Sequence, residues 1–212
     1  LGYGQLEDNY FQSSVIDFDK DRSDRSTYKL LGGSIGFYGS TLNTRQYATK
    51  GYLEKLIAQV FTGRERFEPG NPQEGYSPSP QERQSWLQIS YMKEAYHTMG
   101  PKFTLGWMAE ALYSSKNFSE NYTATMMQAG EFAPTPHSKL MYNEAFRANQ
   151  YVAAGIKPIY VLNDMFQFRT EFYGFTPIFP IKKNALNKAY YGKAFSRFEY
   201  MLSLIHISEP TR

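Results

Sequence analysis

The sequence predicts an all-β fold: part of an antiparallel up-and-down transmembrane β-barrel, of which the chain holds about eight strands. Three observations predict it. Apolar and polar residues alternate with period two, and a helical period of 3.6 is hard to find anywhere. Several of the alternating stretches run to about 10 residues or more, whereas strands of soluble domains cluster near 5–6 and a tilted membrane-spanning strand needs about 9–11. The connections between stretches also differ in length by parity.

Taken along the chain, the first stretches are the weaker ones: Asn9–Phe18, Tyr28–Tyr38 and Leu53–Phe67. In Ser85–Tyr96 the signal sharpens, with Leu87, Ile89 and Tyr91 alternating with Gln88, Ser90 and Glu94. Lys102–Tyr113 puts Phe103, Leu105, Trp107, Ala109, Ala111 and Tyr113 on one face and Thr104, Gly106 and Glu110 on the other. Gln150–Leu162 alternates less cleanly, and Pro158 weakens it because proline has no N–H to give to a ladder. Phe166–Gly174 opposes Phe166, Phe168, Thr170 and Phe172 to Gln167, Arg169 and Glu171. In Lys193–Met201, Ser196, Phe198 and Tyr200 oppose Arg197 and Glu199.

The connections follow as Asp19–Thr27, Asn43–Gly51, Glu68–Gln84, His97–Pro101, Ser114–Asn149, Asn163–Met165 and Phe175–Gly192. The odd-numbered ones are mostly long and rich in Pro, Gly, Ser, Asn or charge; the even-numbered ones are shorter. Short periplasmic turns and long external loops give an outer-membrane barrel this pattern, and a soluble Greek-key sandwich has no reason to keep it.

Composition narrows the class further. With 42% hydrophobic and 20% charged residues, wholesale disorder is excluded. Lys+Arg 23 against Asp+Glu 20 leaves +3, too even a balance for a nucleic-acid or polybasic membrane footprint. Cysteine is absent, which removes disulfides, thiolate zinc sites and cysteine nucleophiles together. No apolar run approaches the roughly 20 residues of a membrane-spanning helix. A 17% aromatic content (18 Tyr, 16 Phe, 2 Trp) beside a mean hydropathy of −0.54 describes a polar chain rich in amphipathic rings.

Alternation answers the solvent problem of a bilayer, where every backbone N–H and C=O must be paired within the protein. One face then meets lipid and the other a polar lumen. Arg169 and Glu171 are expected on the lumen face, which avoids the roughly 2–4 kcal/mol cost of Arg or Lys at a lipid-facing midplane position. Tyr47, Tyr52, Tyr96, Tyr113 and Tyr151 fall near expected strand ends, where aromatic girdles belong.

The chain opens at Leu1 without a Met and reads as a piece of a longer protein. Its last residues, Leu202–Arg212 (LSLIHISEPTR), match the in-frame translation of a transposase adapter used in sequencing libraries. The expected division is therefore a partial barrel domain at 1–201, truncated at both ends, and a non-native tail at 202–212. The apolar residues of Leu202–Ile207 can nonetheless extend the last strand.

The segment Ser40–Phe67 (STLNTRQYATKGYLEKLIAQVFTGRERF) resembles the strand–periplasmic turn–strand unit of the BamA/TamA-type outer-membrane assembly barrels. Asn43, Thr44, Tyr47, Thr49, Lys50 and Gly51 correspond to the Asn-Thr stretch, aromatic and T-K-G turn of that unit. The run from Phe132 to Pro177 is similar to barrel segments that follow a patatin-like phospholipase domain in Bacteroidetes proteins. The resemblance implies a sixteen-stranded barrel preceded by POTRA modules and, in the patatin-like branch, by a lipase domain. The external-loop V-R-G-F/Y motif of the superfamily is not present in this chain.

Candidate chemistry is sparse. Gly32-Gly33-Ser34-Ile35-Gly36 satisfies G-x-S-x-G, whose nucleophile elbow needs a strand before the serine and a helix after it. Phe37-Tyr38-Gly39-Ser40-Thr41 follows instead, and no Asp-Gly pair occurs to supply the patatin-type partner. The glycines read better as close-packing positions in a strand. His97 in the expected turn and His137 in a Pro-rich loop have no second histidine at ligand spacing. The run Asp17–Arg25 (DFDKDRSDR) lacks the glycine and terminal Glu of a calcium loop, and Lys20, Arg22 and Arg25 would repel a cation. Asn117-Phe118-Ser119 and Asn121-Tyr122-Thr123 match the glycosylation pattern, which means little in a bacterial chain. The Pro-rich stretch Glu68–Pro80 reads as an ordinary external loop.

The expectation is therefore a non-catalytic outer-membrane barrel segment with no catalytic, cofactor or metal residues assigned. It would anchor an attached domain and serve as its translocation or assembly pore. Its partners would be the outer-membrane bilayer and upstream POTRA and patatin-like domains, without nucleic acid. A passive porin or TonB-dependent transport barrel is the alternative, and a soluble all-β serine hydrolase using Ser34 is a third.

Overall fold

A computed structural model describes residues 1–12, 17, 20–71, 83–163 and 166–207. Eight strands form one antiparallel sheet in simple chain order: β1 (Gly2–Tyr10), β2 (Asp24–Ser40), β3 (Gly51–Glu68), β4 (Arg83–Thr98), β5 (Phe103–Ser114), β8 (Gln150–Asn163), β9 (Phe166–Pro177) and β12 (Glu199–Ile207). The intervening labels belong to two small hairpins, β6 (Gly130–Glu131) with β7 (Arg147–Ala148), and β10 (Ile181–Lys183) with β11 (Ala189–Tyr191). One helix, α1 (Tyr122–Gln128), and single 3₁₀ turns at Ser138–Leu140 and Glu144–Phe146 complete the chain. The expected all-β, antiparallel meander is thus present, and its eight-stranded sheet is not closed: β1 and β12 are its two ends.

The longest strands, β2 and β3, run 17 and 18 residues, far beyond the 5–6 typical of soluble sheets. They pair continuously from Arg25↔Glu68 to Ser40↔Leu53. At one end of the sheet lie residues 41–50 and 99–102; at the other lie the longer 115–149 and 178–198, with residues 11, 12, 20–23 and 69–71. Pro158 sits inside β8, and the β8–β9 ladder has no bridged pair between Ile156↔Phe172 and Ile159↔Arg169, where proline cannot donate.

Two strands differ from expectation. The first is Gly2–Tyr10 rather than Asn9–Phe18, of which residues 13–16 and 18 lie outside the described residues. Its pattern is faint because its Gly2, Gly4, Gln5, Glu7 and Asn9 carry little apolar signal, and pairing with β2 selects it. The last strand begins at Glu199, not Lys193, and continues through Leu202–Ile207 against Phe172–Gln167. Residues 192–198 are loop. Phe195 there has φ 51° and donates its N–H to the Ile178 carbonyl at 2.9 Å, so the Ser196/Phe198 alternation did not come from a strand.

Adjacent residues on a strand point to opposite faces, and the register carries each face across the sheet. One face is covered by residues 115–149. There Phe132, Phe146 and Ala148 pack on Met108, Leu112, Tyr151, Ala153, Tyr173 and Phe175 as a buried cluster. The rings interlock, with Phe132 stacked on Phe175 at 5.9 Å and edge-on to Tyr173 at 6.1 Å. The other face is open. The helix that the alternation pattern did not predict starts at Asn121, whose side chain accepts the Ala124 N–H at 2.8 Å, a standard N-cap contact. Arg147 binds its far end, donating to the Met127 and Ala129 carbonyls at 2.9 and 3.2 Å and pairing with Glu131 at 2.8 Å.

Candidate functional site

The open face carries a belt of exposed apolar side chains along the middle of the sheet. Ile35 and Phe37 of β2, Leu56 and Val60 of β3, and Leu87 and Ile89 of β4 belong to it. So do Phe103, Val152, Ile156, Tyr160, Phe168 and Phe172 further along. Phe37↔Leu56, Val60↔Leu87, Trp107↔Ile156 and Ile156↔Phe172 are directly opposed pairs, so the belt is continuous from strand to strand. Phe103 and Phe168 remain 36% and 40% exposed, the reverse of rings gathered into a shared centre. Charge appears where the belt stops. Glu54 and Lys93, 3.7 Å apart, flank it toward the short turns, and Lys29, Arg64 and Arg83 flank it toward the long loops.

The covered face is polar and tightly bonded where it is not aromatic. Lys157 donates to Glu94 at 2.8 Å, and the Tyr96 hydroxyl donates to the same carboxylate. Arg169 spends its guanidinium three ways: to Glu171 at 2.6 Å, to the Tyr96 hydroxyl at 2.7 Å and to the Ala48 carbonyl at 2.9 Å. Tyr173 donates to the second Glu171 oxygen at 2.7 Å. Arg169 and Glu171 are 2% and 4% exposed, on the face opposite to Phe168 and Phe172 as their alternation requires. Higher up, Tyr151 donates to Glu110 at 2.6 Å and to the Glu131 carbonyl at 3.1 Å. Buried charges that are paired and hydrogen-bonded stiffen a wall, and breaking one partner is costly.

The turn 41–50 is drawn into this network. Asn43 accepts the Thr49 and Lys50 N–H groups at 3.0 and 3.1 Å, closing a compact loop. Gly51 ends it at φ 91°, and a Cβ there would stand 2.2 Å from the Thr41 carbonyl oxygen. Ala48, so held, buries itself against Tyr96 and Ile159.

Near the long loops, Lys116 is buried beside Tyr28 and Trp86, its ammonium 5.1 Å from each ring centroid, and donates to Gln128 at 3.3 Å. Burial pulls its pKa down from the ordinary lysine value to about 8, against the opposing pull of the Glu65 and Asp8 carboxylates. Tyr122 and Tyr142 are pushed above the usual phenol range, first by burial and then by Glu144.

The residues singled out from the sequence scatter. Ser34 lies in the middle of β2, opposite Gln59, with unbroken strand on both sides, so the strand–turn–helix elbow does not form there. His97 is not in a turn but near the end of β4, where its Nε2 accepts the Trp107 indole N–H at 3.3 Å. His137 is exposed ahead of the first 3₁₀ turn. Of Asp17–Arg25, Phe18 and Asp19 lie outside the described residues. Asp24 accepts the Gly70 N–H at 2.9 Å and is bonded by Gln12; Asp21 accepts from Asn71 at 3.0 Å. Among the described residues no His, Cys, Asp or Glu group could hold a metal ion. Most of Glu68–Pro80 is likewise outside them. Asn121, of the second glycosylation-like triplet, is the helix cap, 6% exposed and donating to the Tyr10 hydroxyl at 2.9 Å.

Of the expected girdle, Tyr52 and Tyr113 do face outward near strand ends. Tyr96 and Tyr151 face inward and are buried, and Tyr47 sits in the turn at φ 55°. Sequence reasoning also missed Lys157. Its signal was parity, since it shares a face with Tyr151, Ala153 and Gly155 while the open-face partners are Val152, Ala154 and Ile156.

Comparison with protein-family models, with curated proteins and with solved structures finds no match to this chain.

Proposed function

We propose that this chain is a segment of an outer-membrane β-barrel that anchors an attached domain and forms part of its translocation or assembly pore. The observation that carries the reading is the apolar belt on the open face, bounded by charge at both ends and backed by a polar, ion-paired covered face. In water such a contiguous belt is a liability, since soluble monomers rarely expose extended apolar patches. Against acyl chains it is the expected surface, and the ion pairs then lie toward a wet interior. Strands of 17 and 18 residues provide length to cross the hydrocarbon and extend beyond it.

The nature of the attached domain rests on the likeness of Ser40–Phe67 and Phe132–Pro177 to assembly-barrel and patatin-associated segments. In that arrangement no catalytic step falls to the residues of this chain. They span the bilayer, and the buried network of Arg169, Glu171, Tyr96 and Lys157 keeps the wall in one shape.

The two tryptophans test the reading, because Trp107 belongs to the open face and Trp86 to the covered face, stacked on Phe61 at 5.1 Å. The chain is reconstituted into phosphatidylcholine vesicles with bromine on the acyl chains. Trp86→Phe, which leaves Trp107, is expected to lose most of its fluorescence, whereas Trp107→Phe, which leaves Trp86, keeps it. Equal protection of both rings would overturn the membrane reading.

A further inference from the structure

Three cations stand in a row where the belt meets the long-loop end. Lys29 of β2 is directly opposite Arg64 of β3, and Arg64 is directly opposite Arg83 of β4. All three side chains are exposed and on the open face. Like charges directly opposite each other on neighbouring strands destabilise a sheet. Further out the bases are compensated: Arg66, one level out, pairs with Glu68 at 2.8 Å, and Arg25, two levels out, pairs with Glu7 at 2.9 Å. Among the described residues no carboxylate lies within 4.0 Å of Lys29, Arg64 or Arg83. The Arg83 side chain donates from Nε to Thr62 Oγ1 at 3.2 Å.

The level immediately inside holds Leu31, Thr62 and Ser85, and the next holds Val60 and Leu87 of the belt. With strands about 4.8 Å apart, the row spans roughly 10 Å parallel to the belt's edge. A bilayer places its phosphates at that height, just beyond the acyl chains. Resting on the membrane reading above, we propose that Lys29, Arg64 and Arg83 bind the phosphate groups of lipid headgroups in the leaflet on the long-loop side. Arginine brings a planar fork suited to phosphate oxygens and lysine a point charge, and a ligand with more than one phosphate can engage the whole row. Bound phosphate would also relieve the repulsion within the row.

The test measures retention of a bisphosphorylated glucosamine lipid by the full chain in non-ionic detergent. The parent is compared with the Lys29→Gln/Arg64→Gln/Arg83→Gln variant and with Arg45→Gln/Lys50→Gln, which removes two charges at the opposite end. The triple variant is expected to bind about a hundredfold more weakly, from about fivefold per charge, while the double variant binds like the parent. The dephosphorylated lipid is expected not to bind the parent, and millimolar inorganic phosphate not to displace the lipid. Unchanged affinity in the triple variant, or equal binding of the dephosphorylated lipid, overturns the proposal. Complete displacement by inorganic phosphate also overturns it, in favour of a free-anion site. Brominated-lipid quenching of Trp107 in the same triple variant separates the two ideas. Loss of lipid retention with quenching intact supports the row. Absence of quenching in the parent counts against the membrane reading and leaves the detergent measurement to decide the row.

Discussion

Lys157 on β8 reaches Glu94 on β4, two strands away, over Gly106 on the strand between them. The reach depends on the missing side chain. A Cβ on Gly106 would stand 2.6 Å from the Tyr96 ring and 3.1 Å from Lys157 Cβ, so the glycine both seats the ring and clears the path of the ammonium. Gly155 does the same for Tyr173, whose ring would lie 2.3 Å from an added Cβ.

Removing one partner of this pair is expected to cost about 3–5 kcal/mol, since the other charge is left buried. Lys157→Met should therefore lower the unfolding midpoint in detergent markedly, and Lys157→Met/Glu94→Gln should recover part of the loss. A single variant as stable as the parent in denaturant titration would mean that the pair is solvated and contributes little.

Arg169 holds the turn 41–50 through the Ala48 carbonyl while its other nitrogens are occupied by Glu171 and Tyr96. Lysine keeps the charge but cannot serve three directions at once. Arg169→Lys is expected to free the turn, raising tryptic cleavage after the exposed Arg45 and Lys50 by about tenfold, the equivalent of one charged hydrogen bond. Cleavage at the parent rate would show that Asn43 alone holds the turn.

Lys116 binds fewer protons in the folded chain than in the unfolded one between about pH 8 and the ordinary lysine range, because its folded pKa is depressed. Its contribution to stability therefore rises as pH passes upward through about 8, and below that pH the buried ammonium carries its full desolvation cost. Lys116→Met should flatten this rise and make the packing of residues 115–149 on the sheet less pH-dependent. Hydrogen exchange of that segment between pH 7 and 10, corrected for intrinsic rates against the variant, reads the difference. Identical pH profiles in parent and variant would contradict it.

The apolar belt and the two sheet ends, β1 and β12, are both surfaces that associate in water. In plain buffer the 212-residue chain is expected to self-associate, and in detergent to run as a discrete species by light scattering. A monodisperse monomer in buffer without detergent would contradict the membrane reading.

The strands and their faces were legible in the alternation because side chains of an extended chain point alternately to either side, whatever surrounds them. Hence Ser85–Tyr96 and Lys102–Tyr113 are close to β4 and β5, and Arg169 and Glu171 fall on the face opposite Phe168 and Phe172. Alternation fails where strand pairing selects the element, as at Gly2–Tyr10, and where a loop happens to alternate, as at 193–198. Residues 115–149 were expected only as a connection. Their burial of Phe132 and Phe146 needs the sheet to be present first, since no local period marks it.

By itself, then, the sequence determined an antiparallel all-β meander with one apolar and one polar face, because period and parity are local properties of an extended backbone. Only the tertiary structure decided that Tyr96 and Tyr151 turn inward, that Lys157 meets Glu94 across Gly106, and that Lys29, Arg64 and Arg83 align. Each of those depends on register between residues far apart in the chain, and register is set by the pairing of whole strands.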